Sequence, residues 1–250
     1  MEAFIDWPVA ARRVVEQSID QHGGQSAWKV LTTLEISVLA FSGAVWKLKG
    51  AGKTFPVPTR FIVEPHTKRV TFPDYPEPGQ ITTYHSGRVS IEDGGSADGL
   101  VFDQANYRDL FAGLRRRLRK WSPTDVAYFI GYSMGNYHGY PFRLPYLRFV
   151  RQSTATIGGE RRDRLVLAYP RGSDCHTEEQ SFYFDPAGQL CRVDYSADIV
   201  GPGPAAAQYY EDYRDVSGVL FPHRRRVLGR VLGVLTRMNL VTVDLDIKAT

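Results

Sequence analysis

The chain has 250 residues, a formal net charge of +4, 43% hydrophobic residues and 23% charged residues. These fractions lie near the averages of globular proteins, so they exclude a chain that is disordered throughout. A chain of this length can bury a sizeable core without disulfide bonds or metal ions. No apolar run approaches the roughly 20 residues of a membrane-spanning helix. No secretory signal is visible either, and we expect a soluble, cytoplasmic protein.

The first predicted element is a helix over about residues 8–22. Pro8 suits a first helical turn, and Val15 and Ile19 recur at helical spacing before the Gly23-Gly24 pair ends the pattern. A second short helical turn is predicted over 25–31, where the sequence reads QSAWKVL. These two elements lead into a long region of different periodicity.

Residues 33–91 alternate between apolar and polar side chains, as strands do. The runs are LEISVLAF, VWKLKG, TRFIVE, KRVTF, QITTYH and RVSIED, and turn-forming pairs and clusters of Gly, Pro and Ser separate them. The pattern predicts a meander of antiparallel strands. The GAGKT stretch within it resembles a phosphate-binding loop, but Lys47 occupies the position of the first glycine and FPVP prevents the following helix.

Residues 104–140 break this rhythm and predict two inserted helices that meet at Ser122 and Pro123, a good N-cap followed by a good first helical residue. In the first helix, apolar residues at three- and four-residue spacing predict a stripe that faces the core. The stripe residues are Leu110, Phe111, Leu114, Leu118 and Trp121. The other face carries a basic cluster, for which a solvated surface is favoured and contact with an anionic membrane surface is the alternative. This cluster consists of Arg115, Arg116, Arg117, Arg119 and Lys120.

Residues 146–248 return to strand periodicity and predict a second meander. It includes the hairpin QSFYFD-PAG-QLCRVDY, in which Asp185, Pro186 and Gly188 fit a type I turn. The whole pattern predicts a single α+β domain: a strongly curved antiparallel sheet, or half-barrel, covered by the inserted helices. Such a fold encloses a concave, mostly apolar cavity, a common site for small hydrophobic ligands.

The aromatic stretch YFIGYSMGNYHGYPF, residues 128–142, is the predicted cover of that cavity. Plain core packing is one interpretation. Ligand lining is the other, because buried tyrosine hydroxyls need partners and Gly131, Gly135 and Gly139 allow a backbone or a flat ligand to approach closely. The candidate ligand-binding residues are Trp46, Phe61, Tyr128, Tyr132, Tyr137, His138, Tyr140, Phe142, Phe182, Phe184 and Tyr195.

Catalytic signatures are weaker. No serine-nucleophile, zinc-peptidase or dinucleotide motif occurs, so we predict neither a cofactor nor a metal. HTEE at 176–179 is interpreted as a solvated loop in preference to a metal site. Cys175 and Cys191 follow no metal spacing, and two free thiols are favoured over one disulfide.

If the protein is an enzyme, the candidates for cofactor-independent acid–base chemistry, such as an isomerisation or a cyclisation, are His138, Asp194 and Tyr195. This alternative requires an imidazole within hydrogen-bonding distance of a carboxylate and facing an enclosed pocket.

Two segments, SFYFDPAGQLCRVDYSADIVG and AAAQYYEDYRDVSGVLFPHRRRV, resemble a set of uncharacterised bacterial proteins, as does HGGQSAW after the first helix. In architecture the chain is similar to the lipoprotein-carrier fold (LolA/LppX-like), a curved half-barrel plugged by helices. That resemblance implies a cavity for acyl chains or other lipids. The leading hypothesis is therefore binding of a hydrophobic or aromatic small molecule, lipid or isoprenoid-like, with entry gated by segment 104–142.

Overall fold

The computed structural model describes residues 2–57, 59–94, 99–201 and 205–250. Over these residues the chain forms one antiparallel sheet of 13 strands. The strands are β1 (Leu34–Ser42), β2 (Thr59–Glu64), β3 (Arg69–Pro73), β4 (Gln80–His85), β5 (Arg88–Asp93), β6 (Leu100–Gln104), β7 (Arg148–Ile157), β8 (Glu160–Ala168), β9 (Glu179–Phe184), β10 (Leu190–Ser196), β11 (Ala205–Val216), β12 (Val219–Val231) and β13 (Val234–Ala249).

The strand order is β6-β5-β4-β3-β2-β1-β13-β12-β11-β10-β9-β8-β7. The first and last strands therefore pair at the centre, with Ile36 opposite Ile247, and join two meanders into one sheet. The edges are β6 and β7, so the sheet is not closed. The predicted fold class, an α+β domain with a curved antiparallel sheet and inserted helices, is confirmed.

Five α-helices accompany the sheet in the described ranges: α1 (Val9–Gln21), α2 (Gly24–Val30), α3 (Ala44–Lys49), α4 (Leu114–Leu118) and α5 (Pro123–Tyr137). The two N-terminal helices lie where the sequence predicts them. In the parts of the chain that the structure describes, no helix has the length and apolar character needed to cross a membrane.

Helix α5 occupies the interior of the half-barrel. Its start matches the prediction, because Ser122 and Asp125 form a reciprocal capping box and Pro123 is the first helical residue. One side of α5 packs on β2, β3, β4 and β5. From Asp125 to its end, all of its residues except the half-buried Phe129 are buried. The aromatic stretch is therefore an internal plug between the two meanders.

The helix glycines serve close packing between protein segments. A Cβ atom added to Gly131 would lie 2.4 Å from Cβ of Tyr84 on β4, and one added to Gly135 would lie 3.0 Å from Cβ of Lys68. A side chain at Gly131 would force helix and strand apart. These contacts explain why the two positions are glycine, and no ligand is needed for the explanation.

Two local predictions are wrong. The run 45–50 is predicted as a strand, but all of it except Gly50 lies in α3, because the chain turns out of the sheet at Gly43, which lies directly against the Leu240 carbonyl group. Packing then decides the conformation: Trp46 contacts the rings of Phe41 and Phe55.

The predicted amphipathic helix over 110–121 is also wrong, since the chain forms a 3-10 turn, Tyr107–Phe111, and the short α4. A sixth strand, β6, ends at Gln104, where the helical insert was predicted to begin.

The segment 105–122 bridges the two meanders. Tyr107 donates its backbone N–H to Gly87 in the β4–β5 turn over 2.8 Å, and Trp121 donates its own to the Lys49 carbonyl over 2.9 Å. Between these points, Arg108 pairs with Asp198 in the loop after β10, at 2.5 Å. This bridge covers the N-terminal end of α5, where Tyr107 and Arg116 bond to Asp125.

Candidate functional site

A mainly apolar pocket lies between α5 and the inner face of the sheet. Its free volume is about 30 Å³, room for one or two water molecules. The apolar lining residues are Phe41, Phe129, Ile130, Met134, Val227, Val241 and Val243. The polar lining residues are Ser133, Tyr137, Tyr195, Gln208 and Arg225. Three lining residues, Phe41, Phe129 and Val241, are only half-buried, so they mark the mouth of the pocket.

Arg225 on β12 lies at the deep side of this pocket and is 1% exposed. Its Nη2 group is 3.0 Å from His138 Nε2, and its Nη1 group is 3.0 Å from the sulfur of Met134. The guanidinium also lies 5.2 Å from the ring centroid of Tyr137 and 5.9 Å from that of Tyr210. Burial lowers the pKa of Arg225, yet an arginine keeps its charge at neutral pH.

His138 is held as a neutral acceptor for this arginine. Its Nδ1 atom lies 2.9 Å from the Met134 carbonyl oxygen, so Nδ1–H donates there and Nε2 accepts from Arg225. Burial, and then the charge of Arg225, lowers the pKa of His138 well below its usual value. The interaction fixes both the ring and the guanidinium.

A second buried imidazole, His176, lies among tyrosines. Its Nδ1 is 2.9 Å from the Tyr132 hydroxyl, its Nε2 contacts the Tyr137 hydroxyl, and its ring stacks on Tyr195 with centroids 4.0 Å apart. Burial lowers the pKa of His176 to about 3. The prediction of a solvated loop is therefore wrong at His176, because its loop folds inward and caps the tyrosines of α5.

The predicted ligand-binding residues fall into two groups. Tyr137 and Tyr195 line the pocket, and His138 contacts its arginine. The other candidates pack against residues of the same chain in the core, and Phe184 is fully buried there. The contacts are Trp46 with Phe41, Phe61 with Phe72, Tyr128 with Tyr107 and Asp174, Tyr132 with His176, Tyr140 with Tyr169 and Phe182, and Phe142 with Trp28. Ligand contact by the set as a whole stays a prediction.

The residues considered for acid–base catalysis lie on different surfaces. Asp194 pairs with Arg192 at 2.6 Å and with Arg230 at 2.9 Å. Tyr195, the next residue of the same strand, points to the opposite face, into the pocket. His138 is bonded to Arg225. Within the described ranges, no ion pair joins a histidine to a carboxylate.

The sequence interpretation missed Arg225, the most deeply buried charge of the site. The signal was present in FPHRRRVLG, where alternation along a strand places the middle arginine on the same face as Phe221 and Val227. Its neighbours Arg224 and Arg226 point outward and pair with Glu211. Only the middle arginine of the three enters the core.

The basic cluster and the leucines beside it are largely on the surface. Arg115, Arg119 and Lys120 are exposed, whereas Arg116 and Arg117 are half-buried. Leu110, Leu114 and Leu118 are 40%, 57% and 62% exposed, so the predicted core-facing stripe is wrong at these three positions. A helix of five residues is too short to bury a continuous stripe, and only Phe111 and Trp121 reach the interior.

Both cysteines are free thiols, and burial raises the pKa of Cys175 to about 12.

Comparison with solved structures extends over almost the whole chain. A DUF1329 family protein from Desulfovibrio piger matches 95% of this chain and 92% of its own, with 11% identity and a TM-score of 0.50. A LolA superfamily protein from Nitrosomonas europaea matches 96% and 93%, with 12% identity and a TM-score of 0.49. The lipoprotein LppX of Mycobacterium tuberculosis matches 94% of both chains, with 13% identity and a TM-score of 0.31.

At these identities the similarity concerns the fold alone. No protein-family model matches this sequence, and no curated protein matches it. The solved structures that this chain matches thus include LolA and LppX structures, the kind that the sequence resembles.

Proposed function

We propose that the protein binds a hydrophobic small molecule, lipid or isoprenoid-like, between α5 and the inner face of β10 to β13. The observation that carries this proposal is the apolar pocket with a half-buried aromatic mouth. The similarity in fold to LolA superfamily and LppX structures agrees with it. Ligand pockets of this kind combine an apolar lining with a few placed polar groups.

Entry requires a change of conformation, because a free volume of about 30 Å³ cannot hold a hydrocarbon chain. The bridge 105–122 is the candidate gate. Its Trp121 packs against Phe129 at the pocket mouth, with ring centroids 4.8 Å apart. Outward movement of Trp121 would uncover Phe129 and widen the mouth beside Phe41 and Val241.

Native mass spectrometry of the purified protein tests this proposal. We expect a species one apolar molecule heavier than the chain, either as purified or after incubation with hexadecanol. Organic-solvent extraction should remove the added mass. A spectrum that shows only the bare chain under both conditions would contradict the proposal.

A second candidate function, contact with an anionic membrane surface, is favoured by the surface of α4. Leu114 and Leu118 are exposed beside Arg115, Arg119 and Lys120. Exposed leucines next to cations suit an interface where apolar side chains enter the acyl region and cations meet lipid phosphates. Contact there would bring the proposed gate next to a source of lipid.

Charge reversal at Arg115 and Arg119 tests this second candidate. We expect the double Glu variant to lose most of its binding to phosphatidylserine-containing vesicles, since each juxtamembrane cation contributes about 1 kcal/mol. Cosedimentation at low and high salt measures the effect, and wild-type binding should fall as salt rises. The control carries Glu at Arg13 and Arg161, which are exposed elsewhere. Equal losses in both variants, or binding that ignores salt, would contradict a specific α4 contact.

A further inference from the structure

Arg225 is a buried cation that has no counter-ion among the described residues. A guanidinium has five N–H donors. Its hydrogen bonds go to His138 Nε2 and to the Met134 sulfur, a weak acceptor. Its Nε–H has no partner, and no carboxylate in the described residues forms an ion pair with it. Burial of an uncompensated charge is strongly unfavourable, so this arrangement needs an explanation beyond packing.

The neighbouring polar groups lack partners in the same sense. Ser133 Oγ and Gln208 Nε2 line the pocket with Arg225 and are buried without a hydrogen bond to any residue that the structure describes. The Tyr210 hydroxyl, whose ring lies beside the guanidinium, is also buried without one. All of these groups can donate hydrogen bonds. Several unused donors around one cation form a site for an acceptor that carries negative charge.

His138 helps to keep this site cationic. Because its Nε2 atom accepts from Arg225, the imidazole adds no competing positive charge and holds the guanidinium in place. The other charged or titratable groups that face the arginine are the hydroxyls of Tyr137, Tyr195, Tyr210 and Tyr213, all of which burial keeps protonated by raising their pKa. The site thus carries one fixed positive charge.

We propose that Arg225, with Ser133 and Gln208, binds the carboxylate of a long-chain carboxylic acid whose hydrocarbon chain leaves through the mouth between α5 and the sheet, which Phe129, Phe41 and Val241 line. This inference rests on the proposed function and specifies its ligand. The free space fits the planar headgroup, since about 30 Å³ accommodates roughly two oxygen-sized groups. The carboxylate would accept bonds from donors that now have none, while the chain requires the mouth to open.

The test compares ligands that share a chain and differ in headgroup. Palmitate, methyl palmitate and hexadecyl phosphate compete against the fluorescent probe 1-N-phenylnaphthylamine on the full-length protein. We expect palmitate to bind at least about ten-fold more tightly than methyl palmitate, because bonds to a charged group are the stronger kind. Arg225→Met should remove this preference and leave the affinity for methyl palmitate within about two-fold of wild type.

The matched control is Arg224→Met, which removes the adjacent, outward-facing arginine and should keep the preference. If Arg225→Met fails to fold, the comparison of palmitate with methyl palmitate on the wild-type protein still tests the carboxylate site. Equal affinity for acid and ester would overturn the carboxylate site and leave the proposed function standing, with the donors then serving water only. Tighter binding of hexadecyl phosphate than of palmitate would also overturn it. If neither the fluorescent probe nor any of the three ligands binds, the proposed function itself fails.

Discussion

Replacing Asp125 with alanine is expected to lower the free energy of unfolding by about 3–5 kcal/mol, the usual effect of removing one partner from a buried ion pair. Asp125 is fully buried and accepts hydrogen bonds from Arg116, from the Tyr107 hydroxyl at 3.0 Å and from the Ser122 backbone N–H at 2.9 Å. One carboxylate therefore caps α5 and ties the bridge 105–122 to it.

Chemical denaturation measures this effect. The free energy of unfolding of Asp125→Asn should lie between those of the alanine variant and the wild type, because the amide oxygen can still accept a hydrogen bond from the Ser122 N–H while the charge is lost. Asp109→Ala is the control, since Asp109 is exposed in the 3-10 turn of the same bridge. A loss below about 1 kcal/mol for Asp125→Ala, no more than an ordinary surface cap, would contradict the role assigned to this carboxylate.

The second large effect is a loss of stability in acid caused by buried neutral histidines. The pKa of His176 is lowered to about 3 by burial, and burial lowers the pKa values of His22, His138 and His223 in the same direction. As the pH falls, these histidines are protonated in the unfolded chain at a higher pH than in the folded chain. The folded state therefore keeps its full stability above about pH 6.5. Its free energy of unfolding decreases as the pH drops toward the folded-state pKa values. At pH 5, His176 alone lowers the free energy of unfolding by about 2 kcal/mol relative to neutral pH.

Denaturation curves between pH 8 and pH 4 test this expectation on the wild type and on His176→Phe. We expect the variant to be less stable than the wild type at neutral pH, because the Tyr132 and Tyr137 hydroxyls lose their partner, but its stability should fall less steeply with acidification. His66→Phe is the control, since His66 is exposed, and its curve should run parallel to the wild type. Equal slopes for His176→Phe and wild type would show that this imidazole is not buried as described.

Local signals in the sequence predicted much of the fold. The alternation of the β1 sequence, the Ser122–Pro123 helix start and the Asp185 turn depend on neighbouring residues, and each is present. Such features follow from backbone and capping preferences that a short window contains. The two meanders are joined through the pairing of β1 with β13, the first and last strands in the described parts of the chain, and no local pattern contains this contact.

The wrong predictions share a physical cause. The VWKLKG run alternates like a strand, yet Gly43 turns it out of the sheet and Trp46 packs into the aromatic cluster as part of α3. His176 was interpreted as solvated because its sequence neighbours are polar, although tertiary contacts with α5 enclose it. In both cases long-range packing overrides local preference.

The candidate site was harder to predict than the fold. Its aromatic members Tyr137 and Tyr195 were chosen from composition, but Arg225 and the apolar residues of β13 become neighbours only when the second meander curves around α5. The aromatic stretch was expected to form the cover, and it forms the plug instead. The proposed gate, expected over 104–142, is thus confined to its first part, the bridge 105–122, which carries Trp121.

We propose above all that a hydrophobic ligand binds in the pocket between α5 and β10 to β13. Equilibrium titration with 1-N-phenylnaphthylamine of the wild type, Val241→Trp and Thr242→Trp tests it most directly. Val241 lines the mouth, and Thr242 is its neighbour on the other face of β13. We expect saturable binding by wild type and Thr242→Trp, and at least about ten-fold weaker binding by Val241→Trp, since an overfilled pocket loses the ligand's contacts. Equal binding by all three proteins, or by none, would contradict the claim.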